Sequence, residues 1–198
     1  MKIVEKNICY RNAAISDCSH IVRLYSIASD GIANYVWSTM AAPGQDLEEV
    51  GVRRYQREDT IYSYLNCIMA DVDNQVAGMM LSYPMQVDKD ENYSDYDPVL
   101  LPYARLEEDN SYYISGMAIY PEFRGKGIGT RFMALAEQRA TEQGYDKLSL
   151  IVVEENTTAL NLYKKTGYYE AMRQAIVPHP LIHCIGDAML MVKQLSTS

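Results

Sequence analysis

The sequence predicts a single mixed α/β domain. Three observations point there: helical spacing of apolar residues through the first sixty positions, a β-rich hairpin after them, and then an alternation of strand, helix, strand, helix, strand and strand. At 198 residues the chain is long enough to bury one α/β core and short for two. One domain over residues 1–198 is therefore expected, with an insertion at about 84–110.

Taken in order, Ser16 and Asp17 form an N-cap signal ahead of Ile21, Leu24, Tyr25 and Ala28 at helical spacing. Asp30 and Gly31 break that helix, and a second is expected over 32–40, before the turn at Pro43 and Gly44. Asp46 caps a third segment at 47–58. IYSYLNCIMADV from residue 61 and QVAGMMLSY from residue 75 read as strands joined by a hairpin turn at Asp73 and Asn74. Residues 84–110 are polar, acidic and proline-bearing, with one apolar patch at 99–101, and read as a long insertion. A strand at 111–120, a helix at 127–143 with Gly144 as its C-cap, and an apolar strand at 147–153 follow. A short helix at 156–166 closes on Gly167, and strands at 168–177 and 188–195 end the pattern. No internal repeat, linker or low-complexity segment interrupts it.

Composition narrows the function classes. A net charge of −8 argues against nucleic acid as a partner, because phosphate backbones are bound by clustered cations. The opening MKIVEKNICYRNA has scattered charges and no apolar core of a secretory signal, and the longest uncharged run, 31–45, is too short to span a bilayer. The expectation is a cytoplasmic protein with no membrane partner. Cys9, Cys18, Cys67 and Cys184 are widely separated and have no histidine at ligand spacing, so reduced thiols are expected, with no metal site. Acids are concentrated in the insertion, where Asp88, Asp90, Glu91, Asp95, Asp97, Glu107, Glu108 and Asp109 face only Lys89 and Arg105. That stretch is either a solvated loop or a field that gathers a cationic substrate.

The most informative run is YPEFRGKGIGT at 120–130, with glycines at alternate positions between a strand pattern and a helix pattern. Glycine weakens both kinds of element, so a bare backbone is wanted for something else, and a phosphate group suits it. A P-loop needs Ser or Thr after its lysine, and Lys126 stands between glycines instead. A dinucleotide fingerprint needs G-x-G-x-x-G directly after the strand, whereas the spacing here is Gly125, Gly127, Gly129, set off by Pro121 to Arg124. The third reading is acyl-CoA, whose pyrophosphate would meet the helix N-terminus with Arg124 and Lys126 beside it.

A second run, VVEENTTALNLYKKTGYYEA at 152–171, adds to this. With it the chain resembles the GCN5-related N-acetyltransferase (GNAT) family. The family's [QR]-x-x-G-x-[GA] pattern matches Arg124, Gly127 and Gly129; its N-x-x-A-x-x-x-Y pattern ahead of a Gly-aromatic pair matches Asn156, Ala159, Tyr163, Gly167 and Tyr168. MAIYPEFRGKGIG and the closing GDAMLMVKQL also have the family's form, so the likeness covers 112–195. It implies the acyl-CoA N-acyltransferase fold, a mostly antiparallel central sheet flanked by helices, with acetyl-CoA as co-substrate. Met117, Ala118 and Ile119 would then hydrogen-bond the pantetheine arm. Arg124, Gly125, Lys126, Gly127, Ile128, Gly129 and Thr130 would hold the pyrophosphate. Asn156 would bond pantetheine, and Tyr163 would stand near the thioester sulfur.

The chemistry implied is direct attack by a neutral primary amine on the acetyl group in a ternary complex. An N–H at Met117 or Ala118 would stabilise the oxyanion and Tyr163 would protonate the departing thiolate. Tyr163 also fits a packing role in its helix, and Asn156 fits a helix N-cap. Many family members carry a Glu on the strand that here reads SYYISGMAI, which has no acid; Tyr113 and Ser115 stand there and suit only the positioning of a water. That absence keeps open a non-catalytic acyl-CoA-binding sensor or structural module, and a longer acyl chain is a further alternative. Acceptor selection in this family involves the first helices and the last loop, which brings in Tyr35, Trp37 and His183. Helix packing competes for Tyr35 and Trp37, and an ordinary loop role competes for His183. The acceptor is expected to be a small amine, with a tilt toward a cationic one, and a homodimer is among the family's common states.

Overall fold

The computed structural model describes residues 7–88, 90 and 92–195. The remaining positions lie outside the described residues, and with them the first residues of the N-terminal stretch and the charges Lys89 and Glu91 of the insertion. In chain order the elements are β1 (Ile8–Asn12), α1 (Cys18–Ala28), α2 (Ile32–Met40), α3 (Leu47–Tyr55), β2 (Cys67–Val72), β3 (Gln75–Met85), α4 (Leu101–Ala104), β4 (Ser111–Ile119), α5 (Ile128–Glu142), β5 (Lys147–Val153), α6 (Thr157–Lys165), β6 (Tyr169–Ala175) and β7 (Asp187–Gln194). The seven strands form one sheet in the order β1-β2-β3-β4-β5-β7-β6. Pairing is antiparallel for β1/β2, β2/β3, β5/β7 and β6/β7 and parallel for β4/β5. This is the mixed, mostly antiparallel sheet flanked by helices that the resemblance implies. By compactness the chain divides into two units, one comprising the described residues up to Leu81 with Gly116–Phe132, the other Ser82–Ser115 with Met133 onward.

In the first unit, α1 buries Cys18, Ile21, Val22 and Leu24. α3 comes close through Gly51, where a Cβ would stand 3.0 Å from both the Trp37 ring and Val22. Asp17 does not cap α1 as the sequence suggested. Its carboxylate accepts the Ala14 N–H at 2.7 Å and pairs with Arg11, which also binds Asp71 at 2.6 Å. A nearby guanidinium and a short 3-10 turn at Ile15–Asp17 thus capture the side chain, and the helix begins after it. Asp46 caps α3 as expected, accepting from the Glu48 N–H at 2.9 Å. The hairpin residues Asp73 and Asn74 have φ of 51° and 65°, the left-handed pair that a tight β-hairpin needs.

Several elements differ from the sequence expectation, and α3 ends at Tyr55, short of the expected 58. β1 was not anticipated: ICYRN is a five-residue edge strand that, among the described residues, has its ladder with β2 alone. β2 starts at Cys67 because Ser63 accepts the Leu65 N–H and closes a 3-10 turn at Tyr64–Asn66. β3 runs on to Met85, through the exposed Pro84.

In the second unit the insertion is not uniformly solvated. Leu106 is fully buried against Ala188, Leu190 and Val192, with Tyr103, Ile151 and Ile176 packed around them. Several of its acids have structural partners: Glu108 pairs with Lys147, Asp109 accepts the Val87 N–H at 3.1 Å and Asp97 the Val99 N–H at 2.8 Å. The part built on α4 therefore packs on β7.

Candidate active site

β4 leads into the glycine run. Its ladder with β5 joins Tyr112, Tyr113 and Ile114 to Leu148, Ser149 and Leu150, and Met117, Ala118 and Ile119 lie beyond that ladder on the same strand. Gly116 is required by packing, since a Cβ there would stand 2.6 Å from the Tyr25 ring. Gly78 is required by a backbone approach, with the Ala118 carbonyl 2.7 Å from the position of its missing Cβ. A 3-10 turn at Pro121–Phe123 then sets the strand end apart from the glycines.

Gly125 and Gly127 adopt φ of 74° and 78°, and open space surrounds the positions their Cβ atoms would take. Glycine is therefore needed there for the left-handed backbone and not to avoid a clash. Gly129 already lies in α5, whose 15 residues start at Ile128. The Gly127 carbonyl accepts the Arg131 N–H at 3.1 Å, which makes Gly127 the helix-capping residue and leaves the amides of Ile128, Gly129 and Thr130 without helical acceptors. Arg124 donates through Nε to the Ile119 carbonyl at 3.1 Å, and Lys126 donates to the Glu122 carbonyl at 2.9 Å. Neither forms an ion pair among the described residues. A left-handed nest with two uncompensated cations at the positive end of a four-turn helix is suited to a polyanion such as pyrophosphate.

The second unit holds the other matched motif. Asn156 caps α6, its Oδ1 accepting the Ala159 N–H at 3.1 Å, so the amide NH₂ remains for another acceptor. Tyr163 is buried on α6, and burial pushes its phenol up to about 12. α6 ends in a Schellman motif. Gly167 is left-handed at φ 92°, the Tyr168 N–H reaches the Tyr163 carbonyl at 3.0 Å, and the Gly167 N–H reaches that of Lys164 at 3.2 Å. This geometry sets the Tyr163 and Tyr168 rings 5.9 Å apart. The Gly-aromatic pair of the motif is thus the helix stop that buttresses Tyr163.

The weaker candidates are dispersed. Trp37 is 2% exposed and packs on Gly51, while Tyr35 is half-buried on the same helix. Tyr113 is buried with its ring 5.7 Å from Tyr83, and Ser115 is half-buried on β4. His183 is exposed in the β6–β7 connection. A cavity in that connection is lined by His179 and not by His183, a distinction that the run PHPLIH does not reveal.

Comparison with known proteins decides the family. Residues 32–168 match the model of the acetyltransferase (GNAT) family, a span that takes in the glycine nest, Asn156 and the Schellman pair. The chain belongs to the GNAT family. It is 36% identical over 63 residues to YdgE, an uncharacterized N-acetyltransferase of Bacillus subtilis, a match covering 32% of this chain and 40% of that relative. The chain thus spans less than half the length of that curated relative. Among solved structures, the Drosophila melanogaster polyamine N-acetyltransferase, which forms N-acetylagmatine, superposes with a TM-score of 0.67 at 13% identity, over 96% of this chain and 100% of that one. A Bacillus subtilis acetyltransferase in complex with CoA gives 0.56 at 14%, over 97 and 100%. At these identities the structural likeness establishes a shared GNAT fold.

Proposed function

We propose that this GNAT chain, read as one domain over residues 1–198, is an acetyl-CoA-dependent N-acetyltransferase acting on the primary amine of a small acceptor. The observation that carries the reading is the nest at Gly125 and Gly127, with Arg124 and Lys126 uncompensated beside it at the start of α5. The CoA complex of the Bacillus subtilis neighbour and the acetylagmatine-forming Drosophila neighbour support the donor and the acceptor class.

Acetyl-CoA supplies an activated thioester. In this reading Arg124, Lys126 and the amides from Gly125 to Thr130 bind its pyrophosphate. The backbone of Met117, Ala118 and Ile119 lies along the pantetheine arm, and the free amide NH₂ of Asn156 donates to it. An N–H at Met117 or Ala118 polarises the acetyl carbonyl. Tyr163 keeps its proton at neutral pH, because its folded pKa is about 12, and holds it for the sulfur as the C–S bond breaks. The amine proton lost on attack balances the one gained by sulfur, so no covalent enzyme intermediate is needed.

The competing reading is a non-catalytic acyl-CoA-binding module, favoured by the absence of any carboxylate on β4. Thiol release from acetyl-CoA across a panel of amines separates the two. Amine-dependent release that falls in Tyr163→Phe supports catalysis. Stabilisation of the fold by acetyl-CoA with no thiol released by any amine supports the module.

A further inference from the structure

The glycine nest is aimed by the residues just before it. Arg124 donates to the Ile119 carbonyl at 3.1 Å and Lys126 to the Glu122 carbonyl at 2.9 Å, with the Lys126 ammonium 4.8 Å from the centre of the Phe123 ring. Both cations therefore take their direction from residues 119–123. Tyr120 joins that segment to the sheet. Its N–H donates to the Ala77 carbonyl on β3 at 2.8 Å, and its carbonyl accepts the Phe123 N–H at 2.9 Å, closing the 3-10 turn.

The Tyr120 side chain makes a third tie, to a helix that the proposed chemistry leaves unused. Its hydroxyl lies 3.1 Å from Nδ1 of His20 on α1, with the two rings edge to face at 6.1 Å. Both side chains are half-buried. Burial raises the Tyr120 phenol, so it keeps its proton at neutral pH. A hydroxyl can donate to a bare Nδ1 or accept from Nδ1–H, so the contact survives either tautomer of the ring. Five residues further along the same helix, the Tyr25 ring lies 2.6 Å from where a Gly116 Cβ would stand. α1 thus touches the strand end at Gly116 and at Tyr120, and these contacts bracket Met117, Ala118 and Ile119.

We propose that His20 is a positioning residue for the acyl-CoA donor. Through Tyr120 it fixes where the 3-10 turn leaves the sheet, and so the direction of Arg124, Lys126 and the nest amides toward the pyrophosphate. The inference rests on the acetyl-CoA reading and adds to it a residue of α1 that acts only through Tyr120. An anion site depends on donors set before the ligand arrives, and a support that drifts loses charge-assisted hydrogen bonds. The pantetheine segment has supports of its own: the Ala118 carbonyl lies 2.7 Å from the missing Cβ of Gly78, and Tyr25 packs on Gly116. Loss of the His20 contact is therefore felt at the pyrophosphate and not along the pantetheine arm.

The test is calorimetric titration of acetyl-CoA and of acetyl-pantetheine into wild type, His20→Ala, Tyr120→Phe, the double variant and His20→Asn, whose amide can take the place of Nδ1. His20→Ala and Tyr120→Phe should each weaken acetyl-CoA binding about fivefold, the scale of one hydrogen bond. The double variant should also lose about fivefold and not the product of the two, because both changes break one contact. His20→Asn should stay within about twofold of wild type, and acetyl-pantetheine should bind all of these proteins alike. Should His20→Ala not fold, Tyr120→Phe and His20→Asn decide on their own. Unchanged acetyl-CoA affinity in Tyr120→Phe, multiplied losses in the double variant, or an equal loss for acetyl-pantetheine would overturn the proposal. Wild type that binds no acetyl-CoA overturns the donor reading and this inference together, whereas wild type that binds while the variants match it overturns this inference alone. If acetyl-CoA binds and no amine releases thiol, the catalytic reading fails by itself, and the same fivefold losses still uphold the role of His20.

Discussion

Burial drives the Tyr163 phenol up to about 12, and this both suits and constrains its proposed role. The proton is secure at neutral pH, so the side chain is always a donor. Full transfer to a thiolate of pKa ~8.5 would be uphill by roughly 5 kcal/mol, so the phenol serves best as the C–S bond breaks and not before. Tyr163→Phe should lower kcat by about 10²–10³-fold while leaving the acetyl-CoA KM within about twofold, as steady-state kinetics will show. With wild-type protein, kcat/KM for the amine should rise up to pH ~10 as the acceptor loses its proton, and tyrosine ionisation should cause no fall in that range. A rate that declines between pH 8 and 10 would mean that Tyr163 is not the acid. Trp37 shows the opposite case: a lone tryptophan reads equally as pocket wall or packing in sequence, and its contact with Gly51 accounts for it by packing.

At the scale of elements, two turns built on left-handed glycines carry most of the argument. Gly127 has open space around it, so Gly127→Ala adds only backbone strain, roughly 1–2 kcal/mol in a left-handed position. The expected outcome is a modest drop in melting temperature with a larger loss of acetyl-CoA affinity in calorimetry, because the nest itself is reshaped. Gly167→Ala should strain the Schellman stop by a similar amount and lower kcat by freeing Tyr163 from Tyr168, with acetyl-CoA affinity little changed. These turns were legible in the sequence because glycine has a local reason to be there. β1 was not, since five residues with one partner give too short an alternation to register. Asp17 was misread because the competing guanidinium of Arg11 lies six residues earlier, beyond any capping rule. Pro84 ended the predicted strand too soon: it is exposed, and β3 continues to Met85.

For the whole molecule, several acids of the insertion are tied to Lys147 and to backbone amides, so its charge has a structural use beside any field it projects. Stability should respond most to alkaline pH. Cys18 is pushed up to about 11 and Tyr163 to about 12, and burial also raises Tyr55 and Tyr168. Each is held neutral in the fold, so its contribution is intact below the unfolded pKa and is lost as pH climbs through the folded one; Tyr163 alone accounts for about 3 kcal/mol. Urea melts should therefore show falling stability from about pH 9 to 12, and a flat profile there would contradict these burials. The family was readable from the sequence, because Arg124, Gly127, Gly129, Asn156 and Tyr163 sit in two contiguous motifs. The depression at the β6–β7 connection was not readable, because it arises from the folding of a proline-bracketed loop in which His179 and His183 look alike. The most direct measurement is calorimetric titration of acetyl-CoA and of acetyl-pantetheine, which lacks the pyrophosphate, into wild-type protein and Arg124→Ala/Lys126→Ala. The nest account predicts a loss of at least about tenfold for acetyl-CoA in the double variant and no change for acetyl-pantetheine. Equal affinity of wild type and variant for acetyl-CoA would contradict it.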